Sequence, residues 1–288
     1  MVGLVHPKRG QILLDGLPIS ALRRGARRAE RRSGRVQLVF QDPLRSLDPD
    51  LTVAEIVAEG LTIRGQTDRD QIRRRVTGAL EQVGLDATVL ERTPGQISGG
   101  QRQRVSIARA LAVGPRLLIC DEPVSALDAS TRNYVLRLLD QLRTSLGLAI
   151  VIISHDLSSL AGIADRVVVL YRGRIVEDGP VDQVFSTPRH PYTALLMASA
   201  PSIRQHSMRH DRPFSARQLR RTGSDPAPPA GPGACVFAAR CPFAAGICAT
   251  QPPLIQVGER WSVACHRHQE WGALAQSATR QEGPTHAR

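Results

Sequence analysis

The sequence predicts an α/β fold on a mostly parallel sheet, followed by a small cysteine-rich extension. Apolar runs at 116–120 (RLLIC) and 148–153 (LAIVII) read as strands, the first continuous enough to be buried on both faces. A helical pattern over about 130–146 lies between them, so strand, helix and strand make a parallel crossover unit. Four of the five cysteines fall between residues 235 and 265.

Taken in order, residues 11–15 (QILLD) read as a short strand closed by Gly16. Residues 35–40 (RVQLVF) read as another, followed by the turn-rich QDPLRSLDPD. Helical patterns then occupy roughly 52–60 and 69–83, and Thr52 with Glu55 three residues later is a capping-box arrangement. A helix over 101–112 runs straight out of the glycine pair at 99–100. Beyond the crossover unit, VVVLYRGRIVEDG reads as a hairpin turning at Arg172-Gly173. The composition changes near residue 200. Residues 1–200 are assigned to the α/β domain and 201–233, ending in DPAPPAGPG, to a linker. Residues 234–268 are the cysteine-rich extension, and 269–288 a flexible polar tail. There is no internal repeat.

Composition narrows the function class. At 288 residues, 42% apolar and 22% charged, the chain can bury a proper core and is not compositionally disordered. No run approaches the roughly 20 apolar residues of a membrane-spanning helix. The N-terminal MVGLVHPKRGQILLDG lacks the apolar stretch of a secretory signal. The expectation is a cytoplasmic chain that reaches a membrane only through a partner. The net charge of +12 is nearly all arginine, since Lys8 is the only lysine. Its densest block, Arg23, Arg24, Arg27, Arg28, Arg31 and Arg32, is spaced like one side of a solvated helix. Aromatics are only 3%, which leaves little for stacking single-stranded nucleic acid. No nucleic-acid partner is expected.

Two motifs carry chemistry. In LLICDEP (117–123) an apolar strand ends in adjacent carboxylates, the arrangement with which nucleotide hydrolases hold magnesium and steer the attacking water. Asp121 can reach the metal, and Glu122 can take a proton from water attacking a γ-phosphate. Read plainly, the same residues are a strand ending in an acidic turn. Upstream stands ISGGQRQR (97–104), where two glycines let backbone N–H groups approach an anion at a helix N-terminus and Ser98 adds a hydroxyl. The plain alternative is a glycine turn with a serine cap.

The segment ISGGQRQRVSIARALAVGPRLLICDEPVSALD resembles the signature motif, Walker B strand and D-loop of ATP-binding cassette (ABC) proteins. The resemblance implies a P-loop NTPase-like cassette with a helical subdomain. It implies ATP and Mg2+ as cofactors and a second cassette, identical or different, as partner. Ser98, Gly99, Gly100 and Gln101 then match the nucleotide-contacting signature. Asp121 matches the magnesium-binding Walker B carboxylate and Glu122 the catalytic base. Gln41 in VFQDP resembles the Q-loop glutamine that touches magnesium and faces the transmembrane subunit. Ser125-Ala126-Leu127-Asp128 resembles the D-loop along the dimer seam, and His155 in IISHDL the switch histidine at the γ-phosphate. VFQDPLRSLDPDLTVAEIVAEGL, STPRHPYTALLMASAP and the cysteine-rich tail resemble the oligopeptide, dipeptide and nickel importer branch, with His190-Pro191-Tyr192-Thr193 the best single marker. That branch implies an ATPase on the cytoplasmic face of the inner or plasma membrane, two permease subunits and an extracytoplasmic solute-binding protein. Two other readings stay open: a soluble ABC ATPase not tied to transport, and a cassette that only completes a partner's site or docks on the permease.

Cys235, Cys241, Cys248 and Cys265 are separated by five, six and sixteen residues. Clustered thiols in a cytoplasmic protein point to metal ligation, though no pair has the two-to-four spacing of structural zinc sites. Iron–sulfur, zinc, and free or oxidised thiols all remain open; a [4Fe–4S] cluster is what the importer branch implies. Cys120, inside the Walker B strand, reads as a small buried apolar residue.

The family's phosphate-binding loop, GxxGxGK[ST], occurs nowhere in the 288 residues, and Lys8 in HPKRG has no glycine-rich loop before it. The first strands and the aromatic residue that stacks on adenine are also missing. The expectation is a shortened sequence or a misplaced start, with an unpaired sheet edge, exposed apolar surface and no ATP hydrolysis by the chain alone.

Overall fold

The structure, a computed structural model, describes residues 7–125, 127–155, 157–199, 219, 231 and 233–274. It forms two compact units, Met1–His155 and Asp156–Arg288.

In the first unit, β1 (Leu13–Leu14) and β2 (Leu17–Pro18) make a minimal antiparallel hairpin. Its turn residues Asp15 and Gly16 take φ of 50° and 77°, as a two-residue turn demands. The single strand expected over 11–15 is therefore one arm of a hairpin, because Asp-Gly reverses the chain before a longer strand can form. The arginine block forms α1 (Arg24–Arg32), with no buried residue.

β3 (Val36–Val39), β4 (Leu117–Asp121) and β5 (Ala149–Ile153) pair in parallel with β4 in the centre. Val39 lies opposite Cys120, and Asp121 opposite Ile153. Leu118, Ile119 and Cys120 are buried, as the unbroken apolar run requires. β5 is an edge of this sheet, with Val151 37% and Ile153 51% exposed. α6 (Ala129–Leu146) is the crossover; it buries Val135, Leu138, Leu139 and Leu142 and stops at Gly147, whose φ is 60°.

The helical layer consists of α2 (Pro43–Ser46), α3 (Val53–Ile63), α4 (Arg69–Gln82) and α5 (Gly99–Leu111). α3, α4 and α5 pack on one another and bury Ile56, Val57, Leu80 and Ile107. Each such side chain contributes roughly 1.5–3 kcal/mol on leaving water. Thr52 caps α3 in a reciprocal capping box with Glu55. Three arginines of α5 reach backbone carbonyls of neighbouring segments: Arg102 on Pro94, Arg104 on Gly84 and Arg109 on Ser46. Part of the positive charge thus holds these segments in place.

In the second unit, β6 (Arg166–Tyr171) and β7 (Arg174–Pro180) form the expected hairpin, with Arg172 and Gly173 both at positive φ. The unit also holds α7 (Leu157–Leu160), α8 (Val181–Ser186) and α9 (Pro191–Ser199). β7 pairs with β9 (Trp261–Val263), which pairs with β8 (Ile255–Gly258), so the cysteine-bearing segment shares one antiparallel sheet with the hairpin. The compositional break near residue 200 runs through this unit. Most of the expected linker 201–233 and residues 275–288 of the expected tail lie outside the described residues. Within that linker stretch Leu219 is fully buried, in a core with Tyr171, Val176, Phe237, Trp261 and Trp271.

Candidate active site

Three side chains converge at the carboxyl ends of the parallel strands, the edge at which open α/β sheets bind ligands. Gln41 follows β3, Glu122 follows β4, and His155 follows β5. The register sets their tips side by side. Gln41 donates Nε2–H to Glu122 Oε2 at 2.8 Å, and His155 Nδ1 lies 3.1 Å from Glu122 Oε1. Both carboxylate oxygens are thereby engaged. The Glu122 side chain is 25% exposed and that of His155 75%, so the group opens to solvent. Glu122 takes φ of 44°, a left-handed conformation costing a non-glycine residue roughly 1–2 kcal/mol. Its N–H is tied to the Ile153 carbonyl at 2.9 Å, and its carbonyl receives both Ser125 donors. Such strain gathers at functional sites. Asp121 ends β4 beside it, partly exposed.

The signature residues form a second group. The helix starts at Gly99 rather than at 101, because Ser98 caps it. Ser98 Oγ accepts from the Gln101 N–H at 3.2 Å, and Gln101 Oε1 accepts from the Ser98 N–H at 2.9 Å. The N–H groups of Gly99 and Gly100 have no partner among the described residues, and no acidic residue stands in the first turn. This is an open, positive helix end of the kind that receives phosphate. The glycines differ. A Cβ on Gly99 would meet nothing within 4 Å, whereas one on Gly100 would sit 2.7 Å from Thr131 Cγ2.

Asp128 caps α6. Its Oδ1 accepts from the N–H groups of Ser130 and Thr131, each at 3.0 Å, and its Oδ2 accepts from Thr131 Oγ1 at 2.7 Å. These donors, led by the Ser130 hydroxyl, hold its pKa below the usual carboxylate range. Thr131 therefore links the Asp128 cap to Gly100, a contact without a signal in sequence. Ala126 lies outside the described residues. Among the described residues, no hydrogen bond or ion pair joins the Gln41–Glu122–His155 group to the signature group.

In the second unit, Cys235, Cys241, Cys248 and Cys265 line one enclosed cavity with His190, Phe237, Phe243 and Trp271. The Cys235 N–H donates to the Cys248 carbonyl at 3.0 Å, closing the loop that carries three of them. All four are free thiols. Burial pushes Cys241 and Cys265 up to about 12, as it does Cys120 in β4. Among the described residues, no three ligating side chains converge on a point that one metal ion could occupy. Around this cavity runs a network that the sequence did not flag. Glu177, fully buried in β7, accepts from the Arg189 N–H at 2.8 Å, the His190 N–H at 3.1 Å and Trp261 Nε1–H at 3.1 Å. The sequence does not single it out, since Asp178 stands beside it in the same strand and pairs at the surface with Arg166.

A family model described as "ABC transporter" matches residues 1–125, and one described as "Oligopeptide/dipeptide transporter, C-terminal region" matches residues 176–248. The chain is 42% identical over 253 residues to a putative peptide import ATP-binding protein of Brucella ovis, covering 88% of this chain and 77% of the relative. It is 40% identical over 266 residues to the oligopeptide transport ATP-binding protein OppF of Escherichia coli, covering 92% and 78%. Among solved structures it is similar to cbiO1 from Clostridium perfringens, at 32% identity and a TM-score of 0.57 over 64% of this chain and 71% of that one. It is also similar to a dimeric ATP-binding cassette in a post-hydrolysis state bound to ADP and Pi, at 30% identity and a TM-score of 0.55 over 62% and 77%. No described helix is long and apolar enough to cross a membrane.

Proposed function

This chain belongs to the ABC transporter ATP-binding family, on its peptide-import branch, and from that premise we propose which residues serve ATP hydrolysis in peptide uptake. The observation that carries the proposal is the Glu122 carboxylate held between Gln41 and His155 where three parallel strands end. Glu122 is the base that takes a proton from the attacking water, a contribution of about 10²–10⁴ in rate. His155 turns from Glu122 to the γ-phosphate when nucleotide enters. Gln41 donates its amide N–H to Glu122 and keeps its carbonyl oxygen free among the described residues; that oxygen and the Asp121 carboxylate are the hard oxygen donors that would hold Mg2+. Gln41, tied to Glu122, would relay the nucleotide state to the permease.

Ser98, Gly99, Gly100 and Gln101 serve the opposite side of a composite site. They present the open end of α5 to the γ-phosphate of a nucleotide held by a second cassette. Asp128, as the cap of α6, shapes the seam between the two cassettes. The assembly contains that second cassette, two permease subunits and an extracytoplasmic solute-binding protein, with this chain peripheral on the cytoplasmic face. The 288 residues hold no phosphate-binding loop pattern, so the chain by itself grips ATP poorly and turns none over, yet completes the site of a partner that has one. Mixing it with such a cassette and measuring ATP turnover tests this: acceleration supports the role, and turnover by the chain alone refutes it.

Four thiols lining one cavity offer the all-thiolate donor set of a [4Fe–4S] cluster. Thiolates on one zinc at about 2.3 Å crowd within roughly 4 Å of one another, whereas these thiols surround one cavity without converging on an ion-sized point. Burial raises the pKa of Cys241 and Cys265, and ligation would deprotonate these thiols. When bound, such a cluster supplies a one-electron redox centre and a cross-link among the loops. Iron and sulfide analysis after anaerobic reconstitution tests it; uptake of zinc alone would overturn it.

A further inference from the structure

His190 lines the cavity that the four cysteines surround and is only 1% exposed. Its ring is locked from three directions. The backbone N–H donates to Glu177, the ring packs at 5.7 Å against Phe237, and Nδ1 accepts the Tyr192 N–H at 3.0 Å. An Nδ1 that accepts leaves the neutral ring's proton on Nε2. That Nε2–H has no partner among the described residues. Other N–H-bearing side chains on the cavity wall are engaged: Arg267 with Phe243 O, Trp271 with Arg189 O, and His266 Nε2 with Thr250 O. His190 lines the cavity, so an acceptor belonging to whatever fills that space would complement this donor.

We propose that His190 Nε2–H donates a hydrogen bond to a sulfur of the iron–sulfur cluster held by the four cysteines and so raises its reduction potential. The inference rests on the cluster reading above. Hydrogen bonds to cluster sulfurs stabilise the more negative, reduced state. It gives the His-Pro-Tyr-Thr segment a role: His190 carries the donor, and the Tyr192 N–H fixes its tautomer. Glu177 ties that segment to Trp261 of β9, the strand that leads into Cys265.

The test is anaerobic reconstitution of the full 288-residue chain with ferrous iron and sulfide, then a potentiometric titration followed by EPR. His190→Phe keeps a planar ring against Phe237 and loses the donor. It is expected to hold as much iron as wild type and to titrate at a more negative potential. The ratio of reduced to oxidised cluster at the wild-type midpoint should fall on the order of tenfold, which is 59 mV for a one-electron couple. His190→Gln, which retains an N–H, should stay closer to wild type. A fully loaded His190→Phe chain with unchanged potential overturns the assignment while leaving the cluster intact. A wild-type chain that takes up no iron overturns the cluster reading and this assignment with it. Should His190→Phe fail to fold, a His266→Asn chain grown on 15N-histidine leaves His190 as the only histidine on the cavity wall. Pulsed EPR of its reduced cluster should then detect a histidine nitrogen, and a loaded cluster without that coupling contradicts the proposal.

Discussion

Gln41 and Glu122, 81 positions apart, meet through a 2.8 Å hydrogen bond because the strands that precede them pair in parallel and in register. His155 closes the group from the third strand. A carboxylate so held is oriented before any substrate arrives, and orientation is a large part of what a catalytic base contributes.

In a chimera carrying a GxxGxGK[ST] phosphate-loop segment ahead of residue 1, Glu122→Gln should keep nucleotide binding and lose steady turnover by about 10²–10⁴. Its cassettes should stay associated with ATP bound. Turnover assays with size-exclusion chromatography measure both, and undiminished hydrolysis would remove Glu122 from the role of base.

Gly100→Ala should destabilise the first unit by about 1–3 kcal/mol, as inserted methyls in packed sites do. Alanine normally favours a helix over glycine; here its Cβ would stand 2.7 Å from Thr131 Cγ2. Thr131→Ser removes that methyl and keeps the hydroxyl bonded to Asp128, so Gly100→Ala with Thr131→Ser should recover much of the loss in urea unfolding. Equal losses in the single and double variants would contradict the contact.

Asp128 predicts an acid limb. Its folded-state pKa is lowered, so its contribution is complete above the unfolded value of about 3.9 and fades as pH falls through and below that value. Asp128→Ala should be less stable than the parent at pH 7, and the gap should shrink in acid. A gap independent of pH would show that the cap does not act through its charge.

Glu177→Gln replaces one carboxylate oxygen by an NH2 group facing donors that have no other acceptor. A cost of about 1.5–3 kcal/mol is expected in the second unit, with changed fluorescence from Trp261. A variant as stable as its parent would mean that the network carries little of that unit's stability.

Much of this was legible because it is local. The Thr52–Glu55 box, the Ser98 cap and the Arg172-Gly173 turn all announce themselves within a few residues, and the crossover within one continuous stretch. The family motifs placed Gln41, Glu122 and His155, and the register of the sheet explains why they meet. What the sequence could not carry is distance between remote segments. The Gly100–Thr131 approach depends on how α5 and α6 lie side by side. The pairing of Glu177 with Val263 has no local signature, since eighty residues separate the two strands. Leu219 stands in a stretch whose composition reads as linker, yet it is buried in a core whose other members lie far from it in sequence. The cysteine spacings hid the cavity for the same reason: loops, not a short motif, bring the thiols round it.

The most direct test measures ATP turnover by a peptide-importer cassette with an intact phosphate loop, alone, with this chain, and with this chain bearing Gly99→Asp. Gly99 has open space and heads a helix, where an acid is tolerated, so the variant should fold normally while placing negative charge at the helix end proposed to face the γ-phosphate. A shared site predicts that the unaltered chain accelerates turnover and that the Gly99→Asp chain does not. Equal acceleration by both, or hydrolysis by this chain without a partner, would contradict it.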